Sequence, residues 1–193
     1  PRKPVVRPSE LETAEELYIN GLHLEQYKQH NYDARDYYTE GLRRDPSDIR
    51  CNTGMARISY KNGQFEDCIK YADAAIKKLT ERNMHPTDTE AMYFKGLALN
   101  ALGRAKEAYD ILSMAAWDYK FRSAAYFELA TLDCKNNDFA GALEKLDISL
   151  SCNSGHTKAM NIKALVLQIL GKNDEAKVYP LFDYVKAYCY GKT

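Results

Sequence analysis

No charge of one sign prevails in this chain: 27 Lys and Arg stand against 27 Asp and Glu. A nucleic-acid binder held by bulk charge is thereby excluded, because phosphate contacts need a clustered basic excess. Long apolar runs are absent as well. No stretch approaches the roughly 18–20 residues that span a bilayer. Histidine is scarce, and His23, His30, His85 and His156 are scattered without helical metal-ligand spacing or an HExxH run. This excludes a metal site. Cysteine stands at 51, 68, 134, 152 and 189, an odd number with no CxxC pair. That is neither a disulfide framework nor a zinc site, and it points to a reducing compartment, the cytoplasm. No glycine-rich loop is built to cradle phosphate. The start lacks the apolar stretch and cleavage site of a signal peptide. With Pro1, Pro4 and Pro8, residues 1–10 read as a linker cut from something longer.

What the chain does have is an ordinary globular share of hydrophobic residues, 45%, and a period. Gly63-Gln-Phe65-Glu-Asp-Cys68, Asn137-Asp-Phe139-Ala-Gly-Ala142 and Gly171-Lys-Asn173-Asp-Glu-Ala176 share one form. Each is a turn residue, a spacer, a position that is often aromatic, and a small residue three later. Gly103-Arg-Ala105-Lys-Glu-Ala108 is a further copy with Ala at the aromatic place. From Gly103 to Asn137 to Gly171 the step is 34 residues each time. Such a period marks a repeat architecture, in which each unit buries its apolar face only against its neighbours.

On these residues the chain resembles the tetratricopeptide repeat. That frame divides residues 11–193 into repeats at 15–48, 49–82, 89–122, 123–156 and 157–190, with an insertion at 83–88. The resemblance implies an all-α fold, a right-handed α-solenoid of about five helix–turn–helix units. The frame's close-packing sites hold Ala34, Cys68, Ala108, Ala142 and Ala176 on second helices. On first helices they hold Leu22, Ala56, Gly96, Ala130 and Ala164, with only Leu22 departing. The site facing the next repeat holds Gly41, Ala75, Ala115, Ser149 and then Asp183. Larger gap-filling positions carry Tyr18, Met92, Tyr126 and Met160, and Tyr38, Leu112 and Leu146. Small residues let helices approach, and large ones fill the grooves between ridges.

Helices are expected near 10–29, 33–44, 48–61, 65–81, 88–101, 105–117, 123–135, 139–151, 157–170 and 173–189. Ser9-Glu-Leu-Glu12 and Thr87-Asp-Thr-Glu90 read as capping boxes that open two of them. Pro180 and Asp183 break the fifth repeat, which predicts a kink and then an atypical capping helix through Leu181, Val185 and Tyr188. A narrower likeness runs from Ala115 to Cys134. This stretch is similar to repeat arrays near the C-terminus of large bacterial proteins that carry an upstream domain of unknown function. It implies a bacterial parent chain that continues before Pro1.

Nothing in the sequence supports an enzyme, a cofactor or a metal. Cys68 fills a small core site, the Asp133-Cys134 pair is weak ground for a nucleophile, and Glu15-Glu16 reads as a solvated helix face. What the resemblance implies is a surface lined by successive first helices. It is a protein-interaction module that binds a partner peptide or domain, with no nucleic acid and no membrane. The residues expected to line its groove are Tyr27, Arg50, Arg57, Tyr60, Lys61, Tyr93, Asn100, Phe127 and Asn161. Aromatic and Arg side chains are typical interface anchors, and the basic second repeat would meet an acidic end. The carboxylate clamp of chaperone-binding arrays is excluded, because its Lys, Asn and Arg sites hold Ile19, His23, Gly54, Glu90 and Phe94 here. Trp117 either plugs a seam between repeats or makes a further contact on the convex side. The alternative function is a scaffold that docks on the upstream domain of its own parent chain or self-associates.

Overall fold

The computed structural model describes residues 6–27, 32–81, 83 and 85–179. A 3-10 turn, Pro8–Glu10, precedes the helices α1 Ala14–Tyr27, α2 Ala34–Arg44, α3 Ile49–Lys61, α4 Phe65–Thr80 and α5 Glu90–Ala101. After these come α6 Ala105–Ala115, α7 Tyr119–Lys135, α8 Phe139–Cys152, α9 Thr157–Ile169 and α10 Asn173–Ala176. Every regular element among the described residues is helical. The chain divides after Arg104 into two compact halves. The expected kink at Pro180 and the capping helix beyond it lie outside the described residues, as does the start of the linker.

In the N-terminal half α1 pairs with α2 and α3 with α4, and α5 packs on α4 and α3. Its core gathers Leu17, Leu24, Ala34, Tyr37, Tyr38, Cys51 and Met55. The centre of this core is Tyr38, which is fully buried. Two glycines flank its ring. A Cβ on Gly21 of α1 would lie 2.5 Å from Tyr38 Cε1, and one on Gly54 of α3 would lie 2.7 Å from Cε2 and Cζ. The ring thus fills a slot that only glycine on both sides leaves open.

In the C-terminal half α7 pairs with α8, α6 packs on α7, α9 on α8 and α10 on α9. Ala130, Ala142, Leu146, Ala159 and Val166 form its core, and Leu167 and Ala176 a smaller cluster beside it. The close-packing sites of the repeat frame are buried throughout both halves: Ala34, Cys68, Ala108, Ala142 and Ala176, and likewise Ala56, Gly96, Ala130 and Ala164. Leu22, the departure, is only half-buried. Ser149 keeps its small site by satisfying its hydroxyl: it donates to Ser123 O at 2.8 Å, and Ser123 Oγ donates back to Ser149 O at 2.9 Å.

The turn inside the second to fifth repeats has one construction. Gln64, Arg104, Asp138 and Lys172 N–H each reach back five residues, to the carbonyls of Ser59, Leu99, Asp133 and Leu167. This is the Schellman stop, and it requires a left-handed residue just before the donor. Gly63, Gly103 and Gly171 supply it at φ +74°, +77° and +75°. Asn137, at φ 62°, is the exception. Asn137→Gly is expected to stabilise the C-terminal half by a few tenths to about 1 kcal/mol, since a Cβ is disfavoured in this conformation. Calorimetry would report a higher Tm; a lower one would mean that the Asn side chain contributes more than its strain.

Three helix starts differ from expectation. The box forms one turn later than Ser9–Glu12: Glu16 Oε2 accepts from Thr13 N at 3.1 Å, and Thr13 Oγ1 accepts from Glu16 N at 3.2 Å. Pro8 draws the chain before it into the 3-10 turn instead. At α5 the Thr87–Glu90 box does not form. Asp88 accepts from Glu90 N at 3.1 Å, and the Glu90 carboxylate is held elsewhere, by Arg57. α7 also starts early, because Asp118 caps it by accepting from Lys120 N at 2.9 Å.

Two junctions between repeats carry the same ion pair. Asp73 on α4 meets Lys95 on α5 at 2.6 Å, and Asp147 on α8 meets Lys163 on α9 at 2.5 Å. The positions correspond in the repeat frame. The lysines are the less exposed partners, 24% and 17% against 53% and 55% for the aspartates.

Candidate interaction surface

The first helices α1, α3 and α5 of the N-terminal half carry the residues expected to line a groove. The structure places each of their cations against a carboxylate from a neighbouring first helix. Arg50 pairs with Glu15, and its guanidinium lies 5.3 Å over the Tyr18 ring. Arg57 is only 12% exposed and sits between two acids. Its Nε and Nη2 donate to Glu25 at 3.0 and 2.7 Å, and its Nη1 donates to Glu90. Glu25 also accepts from Tyr38 Oη at 2.8 Å and from Lys61 Nζ at 3.1 Å. One arginine thereby joins α1, α3 and α5. Burial pushes the Glu25 carboxyl up, but Arg57, Tyr38 and Lys61 outweigh it and hold it below the usual carboxylate range. The basic second repeat therefore presents a neutralised face.

Aromatic residues remain on that face. Tyr60 and Tyr93 are half-buried and both lie against Phe94, with ring centroids 5.9 and 5.7 Å away. Tyr60 also meets Phe65 at 5.8 Å. Tyr27 is 67% exposed and stacks on His23 at 4.4 Å. Asn100, on the last turn of α5, is half-buried.

In the C-terminal half the lining helices are α7 and α9. Phe127 is half-buried, and its ring lies 4.8 Å from that of His156. His156 caps α9 by accepting from Ala159 N on Nδ1 at 3.2 Å. Asn161 is half-buried one turn on. Trp117 is 59% exposed on the turn between α6 and α7, beside Tyr119 at 70%. The plug reading of Trp117 thus fails to account for most of its surface.

Sequence reasoning missed two acids. Glu25 was overlooked, although it lies one repeat before Arg57 on a parallel first helix. Glu128 on α7 is half-buried. Burial pushes its pKa up, and the charges of Lys158 and Lys135 draw part of that shift back.

The described residues offer little chemistry. No group of three or more His, Cys, Asp and Glu among them is placed to hold a metal. Burial pushes the thiols of Cys51 and Cys68 up to about 12, so neither supplies a thiolate nucleophile near neutral pH. No described helix is long and apolar enough to cross a membrane.

Comparison with known proteins agrees with this architecture. The tetratricopeptide repeat family model matches residues 53–125. Superkiller protein 3 of Saccharomyces cerevisiae is 34% identical over 90 residues, 47% of this chain and 6% of that protein. The Hsp70-Hsp90 organizing protein of Triticum aestivum is 31% identical over 87 residues, 44% of this chain and 15% of that protein. The chain thus spans a small fraction of the curated relatives it matches. Among solved structures, pilF of Pseudomonas aeruginosa superposes with a TM-score of 0.73 at 18% identity, covering 93% of this chain and 77% of that one. MamA does so with 0.69 at 21%, covering 93% and 97%. YrrB, described as a repeat protein with an unusual peptide-binding site, gives 0.64 at 16%, covering 85% and 80%. At such identities the likeness speaks for the fold, an all-α solenoid of tetratricopeptide repeats.

Proposed function

We propose that this chain, a tetratricopeptide-repeat protein, is a non-catalytic interaction module that holds a partner peptide or domain on the face lined by its first helices. The observation that carries the reading is the pairing of every named cation on α3 with a carboxylate, while Tyr60 and Tyr93 stay partly open beside them. Such a face offers aromatic contact area without a net charge to desolvate. A peptide-binding site in YrrB, a protein of the same fold, supports the class of partner. Binding is expected to depend little on salt, since ion pairs inside the protein leave few counterions to release. The working compartment is the cytoplasm, in keeping with cysteines that are free in the described part.

The test is affinity capture with residues 1–193, read by mass spectrometry, at low and high salt. Tyr93→Ala combined with Phe127→Ala is expected to abolish retention of the partner while far-ultraviolet circular dichroism stays unchanged. Raising salt tenfold is expected to change the affinity by less than about tenfold. Retention that survives in the double variant would remove the reading. A second reading, docking on the parent chain or self-association, is favoured by the exposure of Trp117 and Tyr119. It predicts that Trp117→Ala, and not the double variant, releases the captured protein.

A further inference from the structure

Each second helix but the first has another second helix before it in the array. In three repeats the residue that corresponds to Tyr37 meets that neighbour. Tyr71 of α4 packs on the core that holds Tyr37 and Tyr38 of α2. Lys145 of α8 lies 5.7 Å over the Tyr109 ring of α6. Tyr179 and Leu143 of α8 cover the same pair, Leu167 and Ala176. These three residues are half-buried. No second helix precedes α2 among the described residues, yet Tyr37 is only 1% exposed. Its hydroxyl shows what reaches it instead: Tyr37 Oη donates to Val6 O at 2.7 Å. The segment that leads into α1 lies along α2.

The other end of this segment is held by one guanidinium. Arg44 Nη1 donates to Leu11 O at 2.7 Å and to Glu12 O at 3.1 Å, and Nη2 donates to Pro8 O at 3.3 Å. Its Nε donates to Glu40 at 2.8 Å, which aims the fork along α2. The corresponding positions of the later repeats hold Lys78, Asp118, Cys152 and Lys186, none of which has such a fork. Between the two anchors the chain makes the 3-10 turn, and the Leu11 side chain packs on the core of the first repeat. We infer that residues 6–12 are the end cap of the array, a strap that takes the place of a preceding second helix. A terminal repeat needs such a cover, because its units bury their apolar faces only against neighbours. The strap is bound through its main-chain oxygens, so α2 fixes its path more than its side chains. Whatever is joined before Val6 is thereby mounted on a second helix, not on the first helices that line the binding face.

Nitrogen-15 relaxation and thermal unfolding of residues 1–193 test it together. In the wild type the amides of Ser9 to Glu12 are expected to be as rigid as those of α2, with order parameters of about 0.85. In Arg44→Met they are expected to fall below about 0.6 while α2 to α5 keep theirs. The Tm is expected to drop by about 3–8 °C, since charge-assisted bonds and the cover of the first repeat are lost together. The Arg44 side chain is 27% exposed, so this variant leaves the core intact. Arg43→Met is the control. Arg43 also binds Glu40 but donates to no carbonyl of the strap, and its loss is expected to leave the strap rigid. Tyr37→Phe keeps the buried ring and is expected to loosen the strap at Val6 and Arg7 alone. A strap that is mobile in the wild type overturns the inference. So does one that stays rigid in the Arg44→Met/Tyr37→Phe double variant. A strap that loosens while the Tm holds within about 1 °C is a fastened linker and not a cap, which overturns the inference as well.

Discussion

Arg57→Ala is expected to destabilise the N-terminal half by about 3–5 kcal/mol, because it takes a shared counter-charge from two carboxylates that have little access to water. Glu25 and Glu90 are 9% and 13% exposed, and Arg57 is the group between them. Lys61 still reaches Glu25, but it is itself 58% exposed and neutralises only one of the two acids. At roughly 2–4 °C per kcal/mol for a chain of this size, the Tm falls by about 10 °C. The loss comes from covered carboxylates deprived of that counter-charge and not from the value of the ion pair as such. Arg57→Met with Glu25→Leu and Glu90→Gln is therefore expected to recover most of the stability. The pH dependence carries a sign. Glu25 is held below the ordinary carboxylate range, so its contribution is fully present above about pH 4.3 and is lost as pH falls through its folded value. The gap between wild type and Arg57→Ala is thus widest near neutrality and narrows in acid. A loss below about 1 kcal/mol at pH 7 would mean that water reaches the two acids once the arginine is gone.

The second large effect is a reversal of sign at Gly54. In most helices Gly→Ala stabilises by about 1 kcal/mol. Here the new methyl would lie 2.7 Å from the Tyr38 ring, which is fully buried and faces Gly21 on its other side. The ring cannot swing out without breaking its hydrogen bond to Glu25. Gly54→Ala is expected to destabilise by about 1–3 kcal/mol, and Gly21→Ala by a similar amount. Tyr38→Ala alone is expected to lose about 3–5 kcal/mol, the range for large aromatic truncations. In the Tyr38→Ala background, however, Gly54→Ala is expected to become neutral or stabilising. Chemical denaturation of the four proteins in this cycle gives the coupling directly. Additive effects would show that the slot is not what makes these positions glycine.

The small close-packing residues were readable because their burial follows from one local rule repeated along the chain. Ala142 and Ala176 sit where a second helix meets its own first helix, a contact made within a few dozen residues. The turns were readable for the same reason, and Asn137 stands in for glycine in the way its short side chain allows. The slot around Tyr38 was not. Tyr38 was expected as a gap-filler, but the frame names small sites at Leu22 and Ala56, and the glycines that admit the ring lie one and two residues before these. The groove was legible as a set of faces and illegible as a set of charges. Arg50, Arg57 and Lys61 read as a basic patch because their partners stand 32 to 36 positions away, about one repeat off in either direction. A search for opposite charges one period apart would have found them.

The paired aspartate and lysine at alternate junctions bear on how such a chain can be recombined. The second and fourth repeats end in the acidic half of the contact, and the third and fifth begin with the basic half. The other two junctions pair Thr39 with Met55 and Ser113 with Leu129 at the corresponding sites. A shuffled chain that sets the fourth repeat before the third keeps its ion pair. One that sets the third before the fifth places Lys163 opposite Ser113 and leaves a mostly covered ammonium without its counter-charge. The exposed aspartates tolerate such rearrangement; the lysines do not. The repeat of 34 residues is the unit of the sequence period, but the pair of repeats is the unit that duplication or grafting can move with its ion pair intact.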